Sequence, residues 1–118
     1  MFNNYDIIIV GGGPAGLFSA LELSQNKGLK ILLVEKGRSL EGRLCPTNGR
    51  GGNCPPCDPC NMVSGLGGAG AFSDGKLTLS SEVGGRLSEY ISHDKLKELI
   101  KYVDSIFVRY GAPDKVWG

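Results

Sequence analysis

The chain has 118 residues, 41% of them hydrophobic, with thirteen basic against twelve acidic side chains. That length allows one modest domain with its own core. The near-neutral charge, without a basic stripe or a charge block, argues against a nucleic-acid surface or a charged tail. The segment Phe2 to Asp6 is polar, and the apolar run after it is too short for a signal peptide or a membrane span. The expected location is therefore cytoplasmic, where four cysteines read as metal ligands or redox thiols rather than structural disulfides.

The first element is Ile7-Ile8-Ile9-Val10, whose β-branched residues predict a short strand buried on both faces. It breaks into Gly11-Gly12-Gly13-Pro14-Ala15-Gly16, and Leu17, Ala20, Leu21 and Leu23 carry a helix onward from there. Gly11, Gly13 and Gly16 supply G-x-G-x-x-G, in which each glycine has a physical task. The first permits the tight turn, the second lets a pyrophosphate approach the backbone, and the third allows close packing of helix on strand. Free N–H groups at the helix start then face the phosphates. Asn26-Lys27-Gly28 ends the helix, with Gly28 placed as its C-terminal cap. A second apolar run, Ile31-Leu32-Leu33-Val34, ends in Glu35, nineteen residues after Gly16. A carboxylate at the tip of the second parallel strand accepts hydrogen bonds from ribose hydroxyls and repels a 2′-phosphate. Strand, glycines, helix, strand and acid stand in the order a dinucleotide site requires, so residues 5–36 read as a βαβ unit of a Rossmann-like α/β fold.

Between Gly37 and Gly85 the composition changes. Twelve of the nineteen glycines, four of the six prolines and all four cysteines fall there. A long connection dense in chemistry reads as a binding loop rather than a linker. Within it, Lys76-Leu77-Thr78-Leu79 alternates polar and apolar residues after the Asp74-Gly75 turn and predicts a short strand. The final segment, 86–111, is helical. From Asp94 as N-cap, Leu96, Leu99, Ile100, Val103, Ile106, Phe107 and Tyr110 follow helical spacing, and Gly111 and Pro113 stop it. This C-terminal amphipathic helix reads as packing surface, and His93 before it as a solvated or capping residue. No further βαβ units follow, so the chain reads as the N-terminal portion of a larger enzyme, a partial cofactor domain spanning 1–118 without a substrate domain.

The run Tyr5-Asp6-Ile7-Ile8-Ile9-Val10 with Gly11 to Gly16, followed by Val34-Glu35-Lys36-Gly37, resembles the FAD fingerprint of the glutathione-reductase-type flavoprotein superfamily. The stretch Gly67-Gly68-Ala69-Gly70-Ala71-Phe72-Ser73-Asp74-Gly75-Lys76-Leu77 resembles the signature of a poorly characterised FAD-dependent dehydrogenase family within it. Arg43-Leu44-Cys45-Pro46 and the three later cysteines also fit that family. The resemblance implies that Gly11, Gly12, Gly13, Pro14, Ala15 and Gly16 cradle the FAD pyrophosphate and that Glu35 holds the ribose. It implies Lys36 near the adenosine end and Arg43 near the phosphates. The loop carrying Gly70, Ala71, Ser73 and Lys76 would approach the ribityl chain or flavin. The implied activity is an FAD-dependent oxidoreductase of unknown small-molecule substrate, with NAD(P)H as one candidate electron donor. The competing readings are a flavin- or metal-binding module without catalysis of its own, including part of a tRNA-modification flavoprotein, a truncated product without activity, and an NAD-binding domain.

Cys54-Pro55-Pro56-Cys57-Asp58-Pro59-Cys60 is C-x-x-C-x-x-C, with Cys45-Pro46 upstream as a fourth ligand. Two-residue gaps let thiolates converge, and a bound metal offsets their mutual repulsion. Three close cysteines plus a remote Cys-Pro is an iron–sulfur style of spacing, although the remote cysteine usually follows the triplet. Four thiolates suit zinc as well as a 4Fe–4S cluster, and Cys54 with Cys57 could instead cycle between dithiol and disulfide. A purely structural loop is the fourth alternative.

Overall fold

A computed structural model describes residues 4–47 and 53–115, so residues 48–52 of the glycine-rich stretch lie outside the described part. The chain divides into two compact units, Met1–Ser73 and Asp74–Gly118.

In the first unit, β1 (Ile7–Val10) leads through α1 (Pro14–Ser24) to β2 (Ile31–Val34). The strands pair in parallel with Ile7 opposite Ile31 and Val10 opposite Val34, and α1 packs on both. Parallel pairing follows from the connection: a crossover helix returns the chain to the same end of the sheet. Asp6 fixes the register at one end, donating its N–H to the Lys30 carbonyl at 2.9 Å and accepting the Lys30 N–H on Oδ2 at 2.8 Å. The Gly11 N–H, 2.7 Å from the Val34 carbonyl, fixes it at the other.

The burial of β1 differs from the two-sided expectation. Ile7 and Ile9 are half-buried, whereas Ile8 and Val10 are 60% and 85% exposed. Strand side chains alternate between faces, and α1 covers one face only. The helix also ends earlier than expected. Its C-cap is Gln25, and Gly28 lies in a following turn where the Asn26 side chain accepts the Gly28 N–H at 3.1 Å. An asparagine that bonds the backbone two residues on favours a turn over another helical residue, which moves the stop forward.

The second unit holds α2 (His93–Arg109). Its N-cap is Ser92, whose hydroxyl accepts the Lys95 N–H at 3.3 Å, two residues before the expected Asp94. Asp94 falls in the first turn, where its charge complements the helix dipole. Gly111, at φ +102°, stops the helix; its N–H reaches the Val108 carbonyl and the Ala112 N–H reaches Phe107, a Schellman pair. Leu96 is buried, Ile100, Val103 and Ile106 are half-buried, and Leu99, Phe107 and Tyr110 are exposed. Residues 76–79 form no strand. Alternation alone is insufficient, because a strand also needs a hydrogen-bonded partner, and the sheet found among the described residues consists of β1 and β2.

Candidate functional site

The turn from β1 into α1 is shaped by glycine. Gly11 takes φ +106°, a conformation that side chains disfavour. A methyl group at Gly16 would overlap the Gly11 carbonyl oxygen and stand 3.5 Å from Ile9 Cγ2, so the first turn of α1 sits directly on the end of β1. Gly13 differs. It is the N-cap of α1 in extended conformation, and a Cβ there would meet nothing within 4 Å. No side chain caps the helix, so the first-turn amides are left without a protein cap beside open space. That combination of dipole and amides suits an anion.

Glu35 stands immediately after β2 and ties three segments together. Its Oε2 accepts the Gly12 N–H at 2.6 Å, while Oε1 accepts the N–H groups of Gly37 at 2.8 Å and Gly65 at 3.1 Å. These donors hold the carboxyl below the ordinary glutamate range, the Gly37 amide most, and the positive charge of Arg43 adds to them against partial desolvation. A carboxylate offers about four lone-pair sites, so the three amides leave capacity for a further donor, most simply at Oε2.

A second glycine segment lies against the first. The Gly67 N–H donates to the Gly12 carbonyl at 2.8 Å, and Gly68 opens a short 3-10 turn, Gly68–Phe72. A Cβ at Gly68 would stand 3.2 Å from Gly13 Cα and 3.3 Å from Pro14 Cδ, and one at Gly70 would stand 3.7 Å from Pro14 Cγ. The structure thus brings Gly12, Gly13, Pro14, Glu35 and Gly70 into one neighbourhood at the start of α1. Ala71 and Ser73 are exposed on the same 3-10 turn and at its end. Ala15 is exposed in the first turn of α1.

The two cations behave differently. Lys36 is 75% exposed and 3.5 Å from Asp58, a surface pair of small energetic value. Arg43 is only 2% exposed. Its Nε and two terminal nitrogens donate to the carbonyls of Asn61 at 2.9 Å, Leu66 at 2.7 Å and Met62 at 2.9 Å, and its guanidinium lies 4.7 Å from the centre of the Phe72 ring. The resemblance implied a place near phosphates; the structure commits the guanidinium to the backbone of residues 61–66. Five donors in a fixed fork make arginine suited to such a staple. Spacing could not have found it, since Arg43 and Leu66 are 23 residues apart. Gly37 and Gly65 were likewise not singled out; the signal available was the run Ser64-Gly65-Leu66-Gly67-Gly68, whose small residues permit close backbone approach.

All four cysteines line one cavity of about 550 Å³, together with Pro46, Met62 and neighbouring residues. They form no disulfide with one another, and the Cys45 sulfur lies 3.2 Å from the Thr47 hydroxyl. Among the described residues, no three Cys, His, Asp or Glu side chains converge tightly enough to hold a single metal ion. In the second unit, Lys76 is exposed and pairs with Asp74 at 2.9 Å.

The glycine turn, the uncapped helix start and the strand-tip carboxylate lie in one neighbourhood, and comparison with known proteins finds similarity over that same stretch. Residues 6–53 match the family described as FAD binding domain. Parts of the chain are also similar to proteins of differing name. An uncharacterized protein of Clostridium beijerinckii is 37% identical over 94 residues, covering 80% of this chain and 16% of that protein. A dihydrolipoyl dehydrogenase of Trypanosoma brucei brucei is 48% identical over 42 residues, 36% of this chain and 9% of that protein. A vinyl phenol reductase of Lactiplantibacillus plantarum is 47% identical over 47 residues, 40% of this chain and 9% of that protein. The matches therefore span at most 16% of these relatives' lengths. No solved structure gives a significant match. Among the described residues, no helix is long and apolar enough to cross a membrane.

Proposed function

We propose that the chain is the FAD-binding part of an FAD-dependent oxidoreductase, with the start of α1 as the pyrophosphate site. The observation that carries this reading is the open, uncapped Gly13 position at a helix N-terminus inside a segment matching an FAD-binding family. When bound, FAD supplies the redox chemistry by accepting a hydride or electron pair; the chain supplies binding and electrostatics. Gly11 and Gly16 shape the turn, while Gly13, Ala15 and Gly16 present amides to the phosphates. Glu35 accepts a ribose hydroxyl with its remaining capacity while held in place by Gly12, Gly37 and Gly65. The short segment from Gly68 to Gly70, small enough to lie against Pro14, borders the phosphates. Lys36 stays near the adenosine end at the surface. The substrate is a separate matter, since relatives sharing this segment carry names as different as dihydrolipoyl dehydrogenase and vinyl phenol reductase.

The test uses Gly13→Val. Because a Cβ at this position meets no protein atom within 4 Å, the variant is expected to fold, with the loss of the glycine N-cap costing about 1 kcal/mol in urea unfolding. FAD titration followed by flavin fluorescence should nevertheless show at least about tenfold weaker binding, the loss of roughly 1.4 kcal/mol from one displaced contact. Unchanged FAD affinity in a folded Gly13→Val chain overturns the assignment. Anaerobic addition of NADH or NADPH to the FAD complex, with loss of flavin absorbance as the readout, tests the electron donor.

A further inference from the structure

The cysteines stand outside this reading, and their arrangement is specific. Cys54, Cys57 and Cys60 come from one proline-rich loop and Cys45 from another segment, yet all four border the same cavity. Two staples hold those segments together beside the thiols. The Asn61 side chain, next to Cys60, donates to the carbonyl of Leu44, next to Cys45, at 2.8 Å. Arg43, two residues before Cys45, donates to the carbonyls of Asn61 and Met62 just after Cys60. Neither staple uses a cysteine, so the fold places Cys45 and Cys60 at one cavity independently of any bond between sulfurs.

We propose that Cys45, Cys54, Cys57 and Cys60 hold one iron–sulfur cluster in this cavity. The ligand spacing and the shared cavity favour the polynuclear form among the thiolate chemistries. A zinc ion draws four sulfurs to about 2.3 Å from a single point. Among the described residues no three such ligands converge tightly on one point, while all four thiols border one cavity. Three closely spaced cysteines plus a remote Cys-Pro match a polynuclear centre, whose cysteine ligands bind different irons. Pro46 and Met62 add apolar lining beside the sulfurs, while Cys54 stays exposed at the rim. Arg43 contributes a buried positive charge two residues from Cys45, offsetting the net negative charge of an iron–sulfur centre with four thiolates. The C-x-x-C-x-x-C run supplies three ligands from one loop, and Cys45-Pro46 supplies the fourth.

The experiment is anaerobic reconstitution of the whole chain with ferrous iron and sulfide, followed by desalting and assay of iron, acid-labile sulfide and zinc. Iron and sulfide in equal amounts, about two or four of each per chain, with broad visible absorption bleached by dithionite, support the proposal. Cys45→Ser and Cys54→Ser, each checked for folding by circular dichroism, should lose at least half of that iron. The loaded chain should also protect its thiols from iodoacetamide, and desulfurised chain should expose four. Gly13→Val should keep its full iron while losing FAD, so this proposal and the FAD assignment fail separately. Stoichiometric zinc with no sulfide, absence of iron from the wild-type chain, or iron undiminished in both serine variants overturns it.

Discussion

Arg43→Ala is the sharpest probe of how the site is held. The side chain is 2% exposed and makes three hydrogen bonds to carbonyls of residues 61, 62 and 66. Hydrogen bonds to a charged group contribute about 1.5–3 kcal/mol each, and the contact with the Phe72 ring adds about 0.5–2 kcal/mol. These values do not add, because water entering the vacated space solvates part of the freed carbonyls. A net loss of about 3–5 kcal/mol in the stability of the 61–72 segment remains. Hydrogen exchange reads this locally. The amides of Gly65, Leu66 and Gly67 are bonded to Glu35, the Arg38 carbonyl and the Gly12 carbonyl. Their protection should fall at least about 100-fold, since 1.4 kcal/mol is a factor of ten. Arg43→Lys keeps the charge but offers one ammonium where three carbonyls diverge, so it should recover only a minor part of the protection. A decrease of less than about threefold in Arg43→Ala would refute the staple and return Arg43 to the role of a ligand-facing cation.

Glu35 gives a pH signature. Its carboxyl is held low by the Gly37, Gly12 and Gly65 amides, so its contribution is complete above the ordinary glutamate value of 4.5 and is lost as pH falls through the lower folded value. The difference in urea midpoint between wild type and Glu35→Gln should therefore be largest near neutral pH and shrink below 4.5; a constant difference down to pH 3 contradicts this. Gly16→Ala places a methyl group on the Gly11 carbonyl oxygen and should cost about 1–3 kcal/mol in denaturant unfolding, with an unchanged midpoint arguing that α1 is not seated on β1 as described. Ser92→Ala removes the cap of α2 and should cost about 0.5–2 kcal/mol, whereas equal loss in Asp94→Ala and none in Ser92→Ala would restore the sequence-based cap.

The elements that were legible in the sequence are those fixed by short-range rules. Ile7–Val10 announces a strand by β-branching and Ile31–Val34 by its apolar run, and the glycines between Gly11 and Gly16 announce a turn into a helix. Two helix ends were misplaced because neighbouring residues compete for the same task. Ser92 and Asp94 can both cap, and Asn26 supplies a side-chain turn where Gly28 offers a backbone one. The interior of the site was less legible. The oxygens of Glu35 meet donors 23, 2 and 30 residues away, and nothing in local patterning encodes which glycine amide reaches them. Arg43 carries no mark distinguishing a buried staple from a surface charge until the chain has folded around it.

The reach of Glu35 also orders events during synthesis. The βαβ unit is complete once Val34 has been made, but two of the restraints on the glycine turn arrive from Gly65 and Gly67. At about 5–20 residues per second, the ribosome needs a few further seconds to deliver them. During that interval the nascent turn has its strand, its helix and its acid, yet lacks the latch on the Gly12 carbonyl. The fastened turn thus exists only once the second glycine segment has emerged, and a ribosome stalled in the cysteine loop displays a turn that is built but not yet fastened.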